Sequence, residues 1–386
     1  MHEAVSSLLR VGCWVGKPDA FGFTGDPRPV TFTGVEAPPG GFLKEQPVCP
    51  FLLAGDIGGT KAILELFEAH PEGPHVVRHE ERQSGDFPSL QALLASFLAA
   101  GDVRVRAAVL SVAAPLHQGR GRFTNLPWEM DQSALSRELK IPKVRLINDF
   151  VAAVFGILEL GEKDLWRLNQ ENPDPTGMRV VLGAGTGLGL GFGVPRAGAL
   201  HFLDAWPSEG GHADFAPRSD EDAEIWRFAR RIYDGRVGYE RLISGSGLSL
   251  LYAFYRVQSG FAPPAAGHGQ TVEPAEISRR ADEGQDAEAI RAVSKFLELL
   301  GAFAGNAALQ FLPEGGIYLA GGVIIHLTPS LRQGALLDAF SGKGRLSDVV
   351  ARIPLAVVLN PQLELFGARL CAEQLVHFRR RSMARR

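Results

Sequence analysis

The chain has 386 residues, 45% hydrophobic and 22% charged, with a net charge of −3. That is an ordinary globular balance with core material for two domains. The near-neutral charge leaves no electrostatic footprint for nucleic acid or an anionic membrane, and no apolar run is long enough to span a bilayer.

Residues 1–50 are rich in Gly and Pro and carry no sustained period, so they read as a loosely ordered extension that docks at most a short strand such as Val30 to Phe32. The first apolar stretch is interrupted by Arg10, which argues against a signal peptide. A start near residue 48 would need a codon other than Met, since Met130 is the next Met after Met1. Cys13, Cys49 and Cys371 are isolated in sequence, which fits a reducing, cytoplasmic setting.

From residue 51 the pattern alternates between the two periods. "FLLAGDI" and "AILELFEA" read as strands joined by a Gly-Gly turn. "SLQALLASFLAAG" reads as a helix with Gly101 as its stop, "VRAAVLSVAA" as a buried strand and "DQSALSRELKI" as an amphipathic helix. "KVRLINDF" is a strand ending in polar residues, and "VAAVFGILEL" a helix directly after it. "MRVVLGAGTGLGLGFGV" repeats the opening layout of strand, Gly/Thr turn and strand, a weak internal repeat that implies two similar α/β units. "AIRAVSKFLELLGAFAGNAALQFL" is a long helix, either core or a subunit interface. "GGIYLAGGV" runs into a third Gly-Gly turn, "LAVVLN" is the last strand, and "PQLELFGARLCAEQLVHF" the last helix before a basic tail.

Glycines inside strand patterns mark bends or a close approach of backbone to a ligand, and exposed N–H groups at such turns cradle anions. A Walker A pattern is absent, because Gly342-Lys343 is followed by Gly344. The dinucleotide pattern G-x-G-x-x-G fails at every register of "GAGTGLGLGFG", and that turn leads into a strand rather than a helix. What remains is a pair of Gly/Thr hairpins able to hold a polyphosphate from two sides. The contact residues would be Gly58, Gly59, Thr60 and Lys61 in the first and Gly185, Thr186 and Gly187 in the second, with Gly321 and Gly322 in a third turn. Asp56 would hold a hydrated Mg²⁺ through water.

"LAGDIGGTKA", "TNLPW", "INDF", "LGAGTGLG", "EGGHADFAP", "ERLISGSGL" and "GGIYLAGGV" occur in this order. Together they resemble the bacterial glucokinase family of the hexokinase–actin–Hsp70 superfamily, over roughly residues 51–375. The related repressor/open-reading-frame/kinase sugar kinases carry a Cys-rich zinc motif that has no counterpart here. The resemblance implies an α/β fold of two ribonuclease-H-like (actin/hexokinase-type) domains flanking a cleft. The smaller would be residues 51–160 completed by a C-terminal helix (363–386), the larger residues 161–362. It implies phosphorylation of D-glucose at its 6-hydroxyl by ATP and Mg²⁺, and a homodimer. Two positions depart from the family pattern, Ala184 and Ser246, where Pro is usual. Both loosen a turn and remove no chemical group.

Asp149 follows a strand and precedes a helix. From position alone it is either the base for a sugar hydroxyl or a helix N-cap; the resemblance points to the base. It likewise assigns Asn125, Asn148, Glu209, His212 and Glu240 to the sugar, against a polar turn or a metal set of His212, Asp214 and Glu209. Trp128, beside a Pro, reads as packing. The rival functions are a kinase for mannose or fructose, a donor other than ATP, and a non-catalytic nucleotide-binding regulator.

Overall fold

A computed structural model describes residues 50–376 apart from 102, 124–125, 197–198, 234, 262–271 and 332–333. The expected strand at Val30 to Phe32, the sugar ligand Asn125 and the basic tail lie outside the described residues.

Leu52, Leu53 and Ala54 are consecutive and all fully buried, so the strand that carries them is covered on both faces. This is β1 (Phe51–Ile57), at the centre of a sheet with β2 (Lys61–Glu68), β3 (His75–Gln83), β4 (Val105–Val112) and, after a small three-stranded sheet of β5 (Leu116–His117), β6 (Arg120–Arg122) and β7 (Glu129–Asp131), β8 (Lys143–Asn148). The order is β3-β2-β1-β4-β8, with β1, β4 and β8 parallel. A second sheet follows with β9 (Leu165–Arg167), β10 (Arg179–Ala184), β11 (Leu188–Arg196), β12 (Ala199–Ser208), β13 (Ile317–Ala320) and β14 (Leu355–Val358). Its order is β12-β11-β10-β13-β14-β9, with β10, β13 and β14 parallel. Five strands in the same order recur in both sheets, so the repeat of two Gly/Thr hairpins is a repeat of a whole sheet.

Helices α1 (Leu90–Leu98) and α2 (Gln132–Glu138) cover one face of the first sheet. Each begins at a side-chain cap: Ser89 accepts from the Ala92 amide at 3.1 Å, Asp131 from the Ser133 amide at 2.7 Å. The outer face of the second sheet is covered by α4 (Asp220–Ile232), α5 (Gly245–Gln258), α6 (Pro274–Asp282), α7 (Ala287–Phe311), the short α8 (Gly322–His326) and α9 (Thr328–Leu331), α10 (Ala335–Ser341) and α11 (Ser347–Ala351). The long helix α7 is core: it packs on α5, α6 and α10, and its buried Lys295 joins it to α4 through Glu221 at 2.8 Å and Asp222 at 3.2 Å. An ammonium taken out of water is tolerated only with such partners.

Between the sheets lie α3 (Asp149–Gly156) and α12 (Leu363–Leu375). Helix α3 continues from β8 of the first sheet but lies on β10, β11 and β12 of the second, while α12 follows β14 of the second and packs on β1 and β4 of the first. The two helices touch backbone to backbone. A Cβ at Gly367 would overlap the Ala152 carbonyl, and one at Gly156 the Leu363 carbonyl. None of the described helices is long and apolar enough to cross a membrane.

Candidate active site

The parallel register brings the chemistry to one end of the first sheet. Asp56 of β1 pairs with Ser111 of β4, which pairs with Ile147 of β8, two residues before Asp149. Ligands of open α/β sheets bind at this carboxyl end. The Asp56 carboxylate accepts from the Ser111 hydroxyl at 3.3 Å.

Helix α3 starts here, and its cap corrects one alternative for Asp149. The N-cap is Asn148, whose Oδ1 accepts from the amides of Phe150 at 3.0 Å and Val151 at 3.4 Å. Asp149 is the first helical residue; one oxygen accepts from the Phe150 amide at 3.0 Å. Capping occupies the Asn148 carbonyl oxygen, so its amide nitrogen is the group that would donate to a sugar hydroxyl.

Burial lifts the Asp149 carboxyl to about 7; the Phe150 amide pulls it down, and the charges of Asp56 and Glu209 push it up. Two further carboxyls share this neighbourhood. Asp56 is held above the usual range by burial, against the Ser111 hydrogen bond and the charge of Lys61. Glu364, in the first turn of α12, is pushed up by burial and by the charges of Asp56 and Asp149. Glu364 is a carboxyl of this neighbourhood that the sequence reading did not single out. Its signal was a single acid in the apolar run Leu363-Glu364-Leu365-Phe366, at the start of a helix that both sheets bury.

The turn "EGGHADFAP" carries Glu209 and His212. His212 sits between two carboxylates, Nε2 3.9 Å from Glu209 Oε2 and Nδ1 3.7 Å from Glu240 Oε1. Asp214 turns instead to Arg236, at 2.6 Å, and the same guanidinium donates to the His212 carbonyl at 2.7 Å. Glu240 also accepts from the Leu188 amide at 3.0 Å, which ties it to the second Gly/Thr hairpin. Glu209, His212 and Glu240 therefore form one group, and Asp149 feels the charge of Glu209. Trp128 is buried, donates to the Phe87 carbonyl at 3.1 Å and meets Phe123 edge to face, so it is packing as expected.

The glycine turns divide by what surrounds them. Gly58 closes its own hairpin, its amide donating to the Lys61 carbonyl at 2.9 Å, and Ser84 Oγ donates to the Gly58 carbonyl at 2.8 Å. The Thr60 carbonyl accepts from the Ser84 amide at 2.8 Å. Lys61 Nζ is 2.7 Å from Glu81, a pair that any phosphate contact must compete with. Gly321 has φ +105°, and a Cβ there would overlap the Ala184 backbone, so the fold alone requires glycine. At Gly187 a Cβ would come 2.6 Å from Glu240 Oε2. A Cβ at Gly185 or Gly322 would meet nothing within 4 Å among the described residues. The Gly185 carbonyl accepts from Gly245 at 2.8 Å, which fixes "SGSGL" beside Thr186. There the Ser246 hydroxyl lies 3.1 Å from that of Ser244, the cap of α5.

This geometry can be set beside known proteins. The family model described as glucokinase matches residues 53–375. A glucokinase of a Nostoc species is 38% identical, covering 84% of this chain and 99% of its own. One from a Synechocystis species is also 38% identical, over 83% and 98%. Among solved structures, a glucokinase from an Antarctic psychrotroph shares 27% identity with a TM-score of 0.73, covering 84% of this chain and 98% of that one.

Proposed function

The chain belongs to the glucokinase family, and from that premise we propose that it moves the terminal phosphoryl group of ATP to the 6-hydroxyl of D-glucose, with Asp149 as general base. The observation that carries the base assignment is a half-buried carboxyl at the carboxyl end of β8, held near 7 where a base works best at neutral pH. The 6-hydroxyl oxygen attacks the terminal phosphorus, its proton passes to Asp149, and the bond to the bridging oxygen of ADP breaks. Asn148, Glu209, His212 and Glu240 hold the other hydroxyls, together with Asn125. The turns at Gly58–Lys61, Gly185–Gly187 and Gly321–Gly322 take the nucleotide from two sides.

The residues present fit a hydrated Mg²⁺. Asp56 lies among acids and is raised by burial, and the lysine nearest in sequence is paired to Glu81 instead. A Mg²⁺ held there through water would neutralise charge on the phosphates. In the same reading, residues 51–160 with the C-terminal helix and residues 161–362 are two domains that close on the sugar. A homodimer rests on the family resemblance alone; most of α7 is buried in the core of the second sheet.

A coupled assay of the purified protein tests the substrate assignment across glucose, mannose and fructose, each with ATP, ADP and polyphosphate. The highest kcat/KM is expected for glucose with ATP. A higher value for another hexose, or no turnover with any pair, would overturn it.

A further inference from the structure

The glycine run after the second hairpin turn does more than shape a phosphate loop. Gly189, Gly191 and Gly193 lie on one face of β11, and α3 lies across that face. A Cβ at Gly189 would fall inside the Phe150 ring, and one at Gly183 on the neighbouring β10 would come 2.6 Å from the ring's Cζ. A Cβ at Gly191 would come 2.8 Å from the Phe150 carbonyl oxygen. One turn further along α3, Val154 fills the place above Gly193, 2.6 Å from where a Cβ would be. Phe150 is thus seated in a slot that Gly183, Gly189 and Gly191 keep free of side chains, and it is the residue directly after Asp149.

We infer that Phe150 is a positioning residue for phosphoryl transfer: its ring, locked into the slot of Gly183, Gly189 and Gly191, sets the first turn of α3 against the β10–β11 hairpin. The inference rests on the reading of Asp149 as base and of that hairpin as a nucleotide holder. Asp149 and Asn148 belong to the first sheet by chain order, the Thr186 turn to the second. Phe150 directly follows the base in the chain, and its ring reaches the second sheet at Gly183 and Gly189. A helix end held only at its cap could pivot, and small misplacements of a reacting group are costly. Val154 makes the same kind of contact at the next turn, where it fixes the helix but not its first turn.

The comparison of Phe150→Ala with Val154→Ala tests this, with kcat, both KM values and melting temperature measured for each. Phe150→Ala should lower kcat by about tenfold or more, with KM for glucose and for ATP within about threefold of the parent. Val154→Ala should lower the melting temperature and leave kcat within about threefold, as expected for a purely structural contact. Gly189→Ala, which expels the ring, should mimic Phe150→Ala, and the double variant should be no worse than Gly189→Ala alone, because both changes act on one contact. Phe150→Leu keeps much of the apolar bulk and should recover part of the lost kcat; it also carries the test if the alanine variant fails to accumulate. Equal kcat losses in Phe150→Ala and Val154→Ala, unchanged kcat in Phe150→Ala or Phe150→Leu, or additive losses in the double variant would overturn the inference. Failure of the base assignment shows separately, as full turnover in Asp149→Asn.

Discussion

At the scale of single residues, the most informative contrast is between Asp149 and its neighbour. Because Asn148 is the cap, Asp149→Asn leaves the capping hydrogen bonds in place. It removes the negative charge and with it the capacity to take a proton. Turnover should fall by at least about a hundredfold, the lower end of what a positioned base supplies, while glucose and ATP still bind; a loss of only a few-fold would reopen the choice among Asp56, Asp149 and Glu364. The pH profile follows the same group. The base acts ionised and sits near 7, so kcat/KM for the parent should fall with decreasing pH below about 7, as one group protonates. A profile flat down to pH 5 would contradict this. Stability runs the other way. A carboxyl raised on folding binds more protons in the native state between its ordinary value and its raised one, so ionising it on the way up through that window destabilises the fold. Glu364→Gln removes one such group. The apo variant should therefore melt higher than the parent at pH 8 and close to it at pH 4, and equal melting curves at both would show that Glu364 is not held in this way.

At the scale of elements, the sequence was most legible where burial is one-sided or complete and the period is clean: β1 and β2, α1, β4, α2, β8, the β10–β11 hairpin, α7, β13, β14 and α12 stand where the patterns placed them. Two classes were harder to read. The edge strand β3, "HVVRHEERQ", has its ladder partner on one side only and carries mostly polar residues, so it shows no apolar alternation. Helix α3 starts at Asp149, two residues before its apolar run, because its cap is an Asn that also ends a strand. Spacing could not separate glycines that leave room for a ligand from those that leave room for the protein. The structure does: Gly321 is demanded by its backbone, Gly189 by Phe150, whereas Gly185 and Gly322 meet nothing among the described residues. This division gives a prediction. Gly185→Ala fits the fold, so its melting temperature should match the parent while KM for ATP rises by about tenfold, the loss of one or two charge-assisted hydrogen bonds. Gly321→Ala forces an alanine into a strained φ and a clash, and should lose stability first. An unchanged KM for ATP in Gly185→Ala would remove that turn from the nucleotide site.

For the whole molecule, the arrangement of α3 and α12 decides how the halves can move. Each helix grows from one sheet and lies on the other, and they cross at Gly156 and Gly367 with no side chain between them. The cluster around them contains residues of both sheets, so motion that separates the sheets would open a packed core, whereas sliding along a smooth glycine contact would not. The groups proposed for sugar and nucleotide come from the ends of both sheets, with Asp56 and Asp149 on one and Glu209, His212, Glu240 and the second hairpin on the other. A ligand bound by both sets favours the closed arrangement by its differential affinity for it. Saturating glucose should therefore reduce the radius of gyration measured by small-angle scattering, and His212→Ala, which weakens the sugar's hold on one side, should require more glucose to reach the same reduction and should raise KM for glucose but not for ATP. Gly367→Ala should blunt the change even at saturation, because a methyl group at the crossing would collide with the Ala152 carbonyl. If scattering curves with and without glucose superimpose, the two sheets form a rigid frame and water must be excluded from the transferring phosphoryl group by loops alone.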